Sequence, residues 1–271
     1  MLLETLDPQP LSDATLISLW SDAAPATAPD RARAMLRAAF PNVPEGELDD
    51  LPIGAWNAGL LRIRRQQFGD DFVLVDRCPH CVETVELRVP GDRLRPADTA
   101  VTRPPQALQI GECTITARLL TGADWRAASR QPAADAIEAS IHLLRRAIVD
   151  ARCADHALAA DEIPTAVWEP LAEELAQADP WSEILFSLRC PRCSRSWESV
   201  LEPGDYVWRE LTSAAQHALR QVHRLASAYG WAEAAILELP PDRRTAYIAL
   251  LDEELGRVTD LFQAPLAAQV P

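Results

Sequence analysis

Two short motifs, Cys78-Pro-His-Cys81 and Cys190-Pro-Arg-Cys193, constrain this chain more than any other feature. Each is preceded by an arginine (Arg77, Arg189), has proline in second place (Pro79, Pro191) and is followed by a glutamate five residues after its last cysteine (Glu86, Glu198). Each also lies between two strand candidates. This is a duplicated knuckle on a hairpin, and it reads as the two halves of a zinc ribbon. Four thiolates surround one Zn²⁺ tetrahedrally at ~2.3 Å, and a two-residue spacer turns both sulfurs of a pair toward the same ion. Such a centre carries a formal charge of about −2, which Arg77, Arg189, Arg192 and Arg195 are placed to offset, with knuckle amides bonding the sulfurs.

Roughly a hundred residues separate the two pairs. A compact ribbon has only ~12–20, but the cost of closing a longer loop grows logarithmically. The intervening segment therefore reads as a subdomain inserted between two hairpins. Two disulfides are the rival arrangement. They are disfavoured because the segment Met1–Asp7 carries acid where a secretory leader carries basic residues. A redox motif of thioredoxin type stands alone beside a βαβ pattern instead of being duplicated. With four cysteine ligands no coordination position stays open, so one structural Zn²⁺ is expected and metal catalysis is not. His80, between two ligands, is expected to face solvent. Cys113 reads as a core residue and Cys153 as a helix residue, neither with a partner.

The rest of the composition fits a soluble, folded protein. Of 271 residues 48% are hydrophobic, enough for a real core and too many for a disordered chain. No run approaches the ~18 apolar residues of a membrane span. The formal charge is −14, from 40 acids against 26 bases, all of them arginine. A phosphate-tracking surface needs the opposite balance, so no nucleic-acid partner is expected. The acid is concentrated in residues 1–60 and 150–183. Such stretches form solvated faces or surfaces that meet a basic partner.

Periodicity gives an α+β fold, mainly helical, in five parts. Residues 1–70 form an N-terminal helical region, in which Ile53, Trp56, Leu60 and Ile63 recur at helical spacing. Residues 71–90 plus 184–204 form the ribbon. Residues 91–183 form the insertion: a Pro-rich linker over 90–105, a hairpin turned at Gly111-Glu112, then helices from Asp124 to Ala178. The clearest of these helices carries Ile137, Ile141, Leu144 and Ile148 on one face. Residues 205–262 form C-terminal helices, with Asp205 as N-cap and Gly230 as the stop of a long amphipathic helix. Residues 263–271 form a frayed tail.

No catalytic pattern is present: no GxSxG, no phosphate-cradling glycine loop and no HExxH. His217 and His223 lie on different faces of the long helix. A non-enzymatic protein is expected.

The assembled motifs resemble the T4-like baseplate hub assembly protein family of contractile phage tails and extracellular contractile injection systems. The resemblance rests on Ile53-Gly54, Leu60-Leu-Arg-Ile-Arg-Arg65, Phe68-Gly69, both CxxC pairs, Asp179-Pro180 and Trp197. It continues through Trp208-Arg-Glu210, Val222-His-Arg-Leu-Ala226, Ala228-Tyr-Gly-Trp231, Glu233, Ile236-Leu237, Arg243-Arg244 and Tyr247. It covers most of residues 50–251 in order. Ser194 stands where ribbons commonly have glycine. The resemblance implies a zinc-stabilised assembly factor or component of a tail baseplate, cytoplasmic in a bacterium or phage-infected host, or associated with the particle. Its partners would be hub, spike or tape-measure proteins, met through Trp208, Tyr229, Trp231, Arg243 and Arg244. A zinc-ribbon module binding nucleic acid or transcription machinery is the alternative, with Arg192 and Arg195 in its favour and the net charge against it. A thiol enzyme using one CxxC is a third reading.

Overall fold

In a computed structural model of the chain, which describes residues 3, 6–94, 105–154, 156–159 and 161–263, helices alternate with short antiparallel sheets. The fold is mixed α+β and mainly helical. It divides into two units, residues 1–11 with 22–209 and residues 12–21 with 210–271.

The first unit begins with helices. Helix α1 (Asp13–Ala23) is shared between the units; α2 (Ala28–Ala39), α3 (Glu45–Asp49) and α4 (Ile53–Phe68) follow. The Thr27 side chain accepts the Asp30 N–H and so caps α2. Along α4 most residues from Ile53 to Arg64 are buried, which is why its apolar positions are so dense. Trp56 is fully buried, and its Nε1 donates to the Leu48 carbonyl at 2.7 Å.

Strands β1 (Asp71–Arg77) and β2 (Thr84–Pro90) pair as one hairpin. Next come β3 (Gln106–Ile110) and β4 (Cys113–Ala117), helices α5 (Gly122–Ala128) and α6 (Ala136–Arg145), and strands β5 (Ile148–Cys153) and β6 (His156–Ala157). Strands β3 to β6 form one four-stranded antiparallel sheet in chain order. With α6 and α7 (Trp168–Ala178) it encloses a core around Ile115, Leu144, Ala147, Trp168 and Leu171. Strands β7 (Ile184–Arg189) and β8 (Ser196–Leu201) form the third sheet, again a hairpin.

Two expectations for the insertion are corrected. Helices do not run unbroken to Ala178, because α6 closes at Arg146 and Ile148 opens β5. Ile148 therefore lies opposite Ala117 across the sheet instead of continuing the helical stripe of Ile141 and Leu144. Cys153 ends that strand directly opposite Cys113, and the two form a disulfide. Cys113 is the core residue expected, but it is not without a partner, and Cys153 lies on a strand instead of a helix.

The insertion is joined to the N-terminal helices by hydrogen bonds. The Ile53 N–H donates to Leu120 O, the Gly122 N–H donates to Leu51 O, and Asn57 Nδ2 donates to Trp181 O at 2.9 Å. Gly122 lies so close to the Trp56 ring that a Cβ there would come within 2.0 Å of it. The Pro-rich linker falls mostly on 95–104, outside the described residues, while Gly91–Leu94 is a single 3₁₀ turn.

Helix α8 (Pro203–Tyr229) contributes residues 203–209 to the first unit and 210–229 to the second. It starts ahead of Asp205, which lies in its first turn and pairs with Arg31 at 3.2 Å instead of capping the helix. Gly230 ends the helix with φ +68, a conformation that favours glycine. In the second unit α9 (Glu233–Leu237) and α10 (Pro241–Gln263) follow, with Val222, Leu225 and Ile236 as its buried apolar centre. The tail from Ala264 lies outside the described residues. Among the described residues no helix is long and apolar enough to cross a membrane.

Candidate metal centre

Strand register explains how the two hairpins come to share a site. In β1–β2 the pairs Phe72/Val89, Leu74/Leu87 and Asp76/Val85 fall on one face. In β7–β8 the corresponding pairs are Ile184/Leu201, Phe186/Ser199 and Leu188/Trp197. Trp197 Nε1 donates to Asp76 Oδ2 at 3.0 Å, linking one hairpin to the other. That bond, with one from Ser199, holds the Asp76 carboxyl below the usual carboxylate range. A cleft of about 520 Å³ opens beside it, walled by Leu74, Leu87, Phe186 and Leu188. Tyr206, which also lines the cleft, stacks on Phe72, and the buried Arg64 guanidinium sits 4.2 Å from the Phe72 ring centroid.

The knuckles repeat each other atom for atom. The Cys78 N–H donates to Glu83 O at 2.9 Å and the Val82 N–H to Cys78 O; the Cys190 N–H donates to Arg195 O at 2.9 Å and the Ser194 N–H to Cys190 O. The residue after each second cysteine is left-handed, Val82 at φ 61 and Ser194 at φ 59. Ser194 thus fills the place of a ribbon glycine, and a β-branched valine fills the same place in the first knuckle at a steric cost.

All four sulfurs lie within 4.8 Å of one another. Cys78 Sγ is 3.6 Å from Cys193 Sγ, and Cys81 Sγ is 3.5 Å from Cys190 Sγ. A tetrahedron with arms of ~2.3 Å has edges of about 3.8 Å, so the spacing suits one four-coordinate ion. Covalent S–S bonds would need about 2.05 Å. Cys78 and Cys190 are buried, while Cys81 and Cys193 are half-buried.

The sulfurs differ in acidity. Burial pushes the Cys190 thiol up, but the Cys193 and Arg192 amides and the Cys81 thiol outweigh it, bringing it down to about 7. At Cys81 the Glu83 amide favours the thiolate, yet burial and the other three sulfurs push it up to about 12. A first thiolate forms readily and a full set does not, unless a cation joins the sulfurs. The donor set therefore fits a thiophilic metal ion, which Cys78, Cys81, Cys190 and Cys193 could hold together.

His80 is exposed and its Nδ1 meets Arg195 Nη1 at 3.2 Å. Arg192 pairs with Glu83 at 3.2 Å, and Arg189 Nε donates to Ser194 O. Three of the four expected counterions, Arg189, Arg192 and Arg195, thus bind knuckle backbone and side chains around the sulfurs.

The expected partner-contact residues separate. Trp208 is half-buried beneath the Arg31 guanidinium, 5.5 Å from its ring centroid. In the second unit Tyr229 stacks on Trp231 at 4.7 Å, Tyr247 packs edge-on to both, and exposed Arg243 lies over Tyr247. Arg244 is corrected: it is only 2% exposed and forms an ion pair with Asp13, so it presents nothing to a partner.

One buried carboxylate was not singled out from sequence chemistry. Asp179 Oδ2 accepts the Gly54 N–H at 2.8 Å, capping α4, whose own N-cap Pro52 offers no side-chain acceptor. Burial pushes Asp179 above the usual carboxylate range, against the pull of the Gly54 and Trp181 amides. The chain has no match among protein-family models, and no curated protein or solved structure matches it significantly.

Proposed function

We propose that this chain holds one structural Zn²⁺ on Cys78, Cys81, Cys190 and Cys193, making a discontinuous zinc ribbon, and that it serves as a non-enzymatic assembly factor or component of a contractile-tail baseplate hub. The observation that carries the metal reading is the four-sulfur cluster at tetrahedral spacing. The ion would fasten two hairpins that the sequence keeps far apart. Its role is to brace a scaffold, because four thiolates leave it no site for a reacting group.

The baseplate reading is supported by the resemblance of the linear motifs and by what those motifs do in space. Gly54 and Asp179, from two of them, meet through a buried hydrogen bond. Tyr229, Trp231, Arg243 and Tyr247, from three others, form one aromatic cluster with an exposed cationic edge. Aromatic side chains beside an arginine are the usual anchors of protein contacts. The nucleic-acid alternative finds less support, since Arg192 and Arg195 are engaged with Glu83 and His80. The test is affinity capture of the tagged chain from cells expressing a contractile-tail gene cluster. Hub, spike or tape-measure proteins should be recovered in saturable amount, along with one zinc per chain by elemental analysis. Recovery of RNA polymerase or nucleic acid alone would overturn the reading.

A further inference from the structure

We infer that a second site, on the four-stranded sheet unit and separate from the cysteine cluster, binds a phosphate-type oxyanion. An open pocket of about 460 Å³ is lined by Arg118, Asp124, Gln131, His142, Arg145 and Arg146. Three guanidinium groups therefore surround a single carboxylate, in a protein whose overall formal charge is −14.

Asp124 neutralises only part of that charge. It is 3% exposed and takes Arg118 as a two-pronged partner, Nη1 to Oδ2 at 2.6 Å and Nη2 to Oδ1 at 3.0 Å. Arg146 reaches the same carboxylate through Nε alone, at 3.1 Å. Among the described residues, no hydrogen bond engages its two terminal nitrogens. Arg145 has no carboxylate partner there; its guanidinium lies 5.8 Å from the Trp168 ring centroid, and its buried Nε has no hydrogen bond. His142 Nδ1 is likewise buried without a partner, while its Nε2 lies 3.8 Å from Glu138.

Arg145 and Arg146, whose forks are only partly engaged, thus line one pocket together with His142. Arginines at the end of α6 would also suit its helix dipole, but that amounts to only about half a charge. Asp124, Asp50 acting on Arg118 from further off, and Glu138 beside His142 balance the three arginines in number, so what the pocket offers is guanidinium nitrogens without a hydrogen-bond partner among the described residues, not surplus charge. Arginine forks match the paired oxygens of phosphate, and hydrogen bonds to a charged acceptor are the stronger ones.

The source of the phosphate group is either the free ion or a phosphate monoester. Inorganic phosphate and glycerol 3-phosphate, each titrated into the full chain at constant ionic strength with sodium chloride as reference, separate the two. Saturable binding of inorganic phosphate is expected, with Arg146→Gln and Arg145→Gln each weakening it about tenfold. Tighter binding of the ester identifies an ester ligand, and equal binding identifies the free ion. If a glutamine variant fails to fold, Arg146→Lys keeps the charge, and it should still weaken binding by losing the fork. A response no greater than chloride gives, or unchanged affinity in the arginine variants, overturns the site.

Discussion

Substituting Gly54 by alanine sets local propensity against tertiary packing. An exposed glycine inside a helix that becomes alanine gains about 1 kcal/mol. Gly54 is not exposed: a Cβ there would lie 1.9 Å from Asp179 Oδ1 and 2.7 Å from its Cγ. Either the carboxylate swings away or α4 shifts. In the first case the 2.8 Å bond from the Gly54 N–H is broken. That leaves a first-turn donor unpaired and strips the buried carboxylate of one of its two amide donors, a loss of about 1.5–3 kcal/mol. In the second, overpacking costs about 1–3 kcal/mol. Set against the propensity gain, either loss leaves a net destabilisation of up to about 2 kcal/mol, with Tm lower by up to roughly 4–8 °C for a unit of this size. The assay is a double-mutant cycle by denaturant unfolding. In an Asp179→Ala background the clash is gone, so Gly54→Ala should become neutral or stabilising, with a coupling of about 2–3 kcal/mol. A gain of about 1 kcal/mol from Gly54→Ala in the otherwise unaltered chain would refute the packing argument outright.

Other perturbations probe the remaining features. On the proposed zinc reading, Cys81→Ser should abolish stoichiometric zinc and lower the melting temperature strongly, because metal-binding free energy would then be folding free energy; full zinc content with an unchanged melt contradicts this. Reducing the Cys113–Cys153 bond, which spans 40 residues, should remove up to about 4 kcal/mol on the chain-entropy account, and thiol titration of the metal-loaded protein should find two new thiols only after reduction. Asp124 is held below the usual carboxylate range: burial raises it, but Arg118 and Thr121 outweigh that. Its stabilising contribution is therefore present above the unfolded carboxylate pKa and lost as pH falls through the lower folded value, so Asp124→Asn should flatten the acid limb of a stability–pH profile. Asp179 has the opposite sign, because burial raises it. Its stabilising contribution is present at low pH and lost as pH rises through the folded value, so Asp179→Asn, which keeps an acceptor for Gly54, should remove that loss.

How much of this molecule was legible in the sequence depended on whether a feature had a local cause. The four hairpin strands were readable because alternation and the repeated CxxC surroundings mark them within a few residues. Strand β5 was not. Ile148 extends the stripe of Ile137, Ile141 and Leu144 by one more helical turn, and the competing alternation is only six residues long. The Cys113–Cys153 pair is hidden for the same reason, since only β4–β5 register makes the two neighbours. Arg243 and Arg244 look equivalent in a chain of letters, but adjacent helix positions lie about 100° apart, and only the second meets Asp13. Gly54 inside a helix, Val82 with positive φ and Arg244 buried each break a local rule. Each is held by something remote or by the closure of a loop: Asp179 for the first, the knuckle turn for the second, Asp13 for the third. A rule broken without visible local compensation thus points to a distant partner, and Gly54 would have been the place to start looking for Asp179.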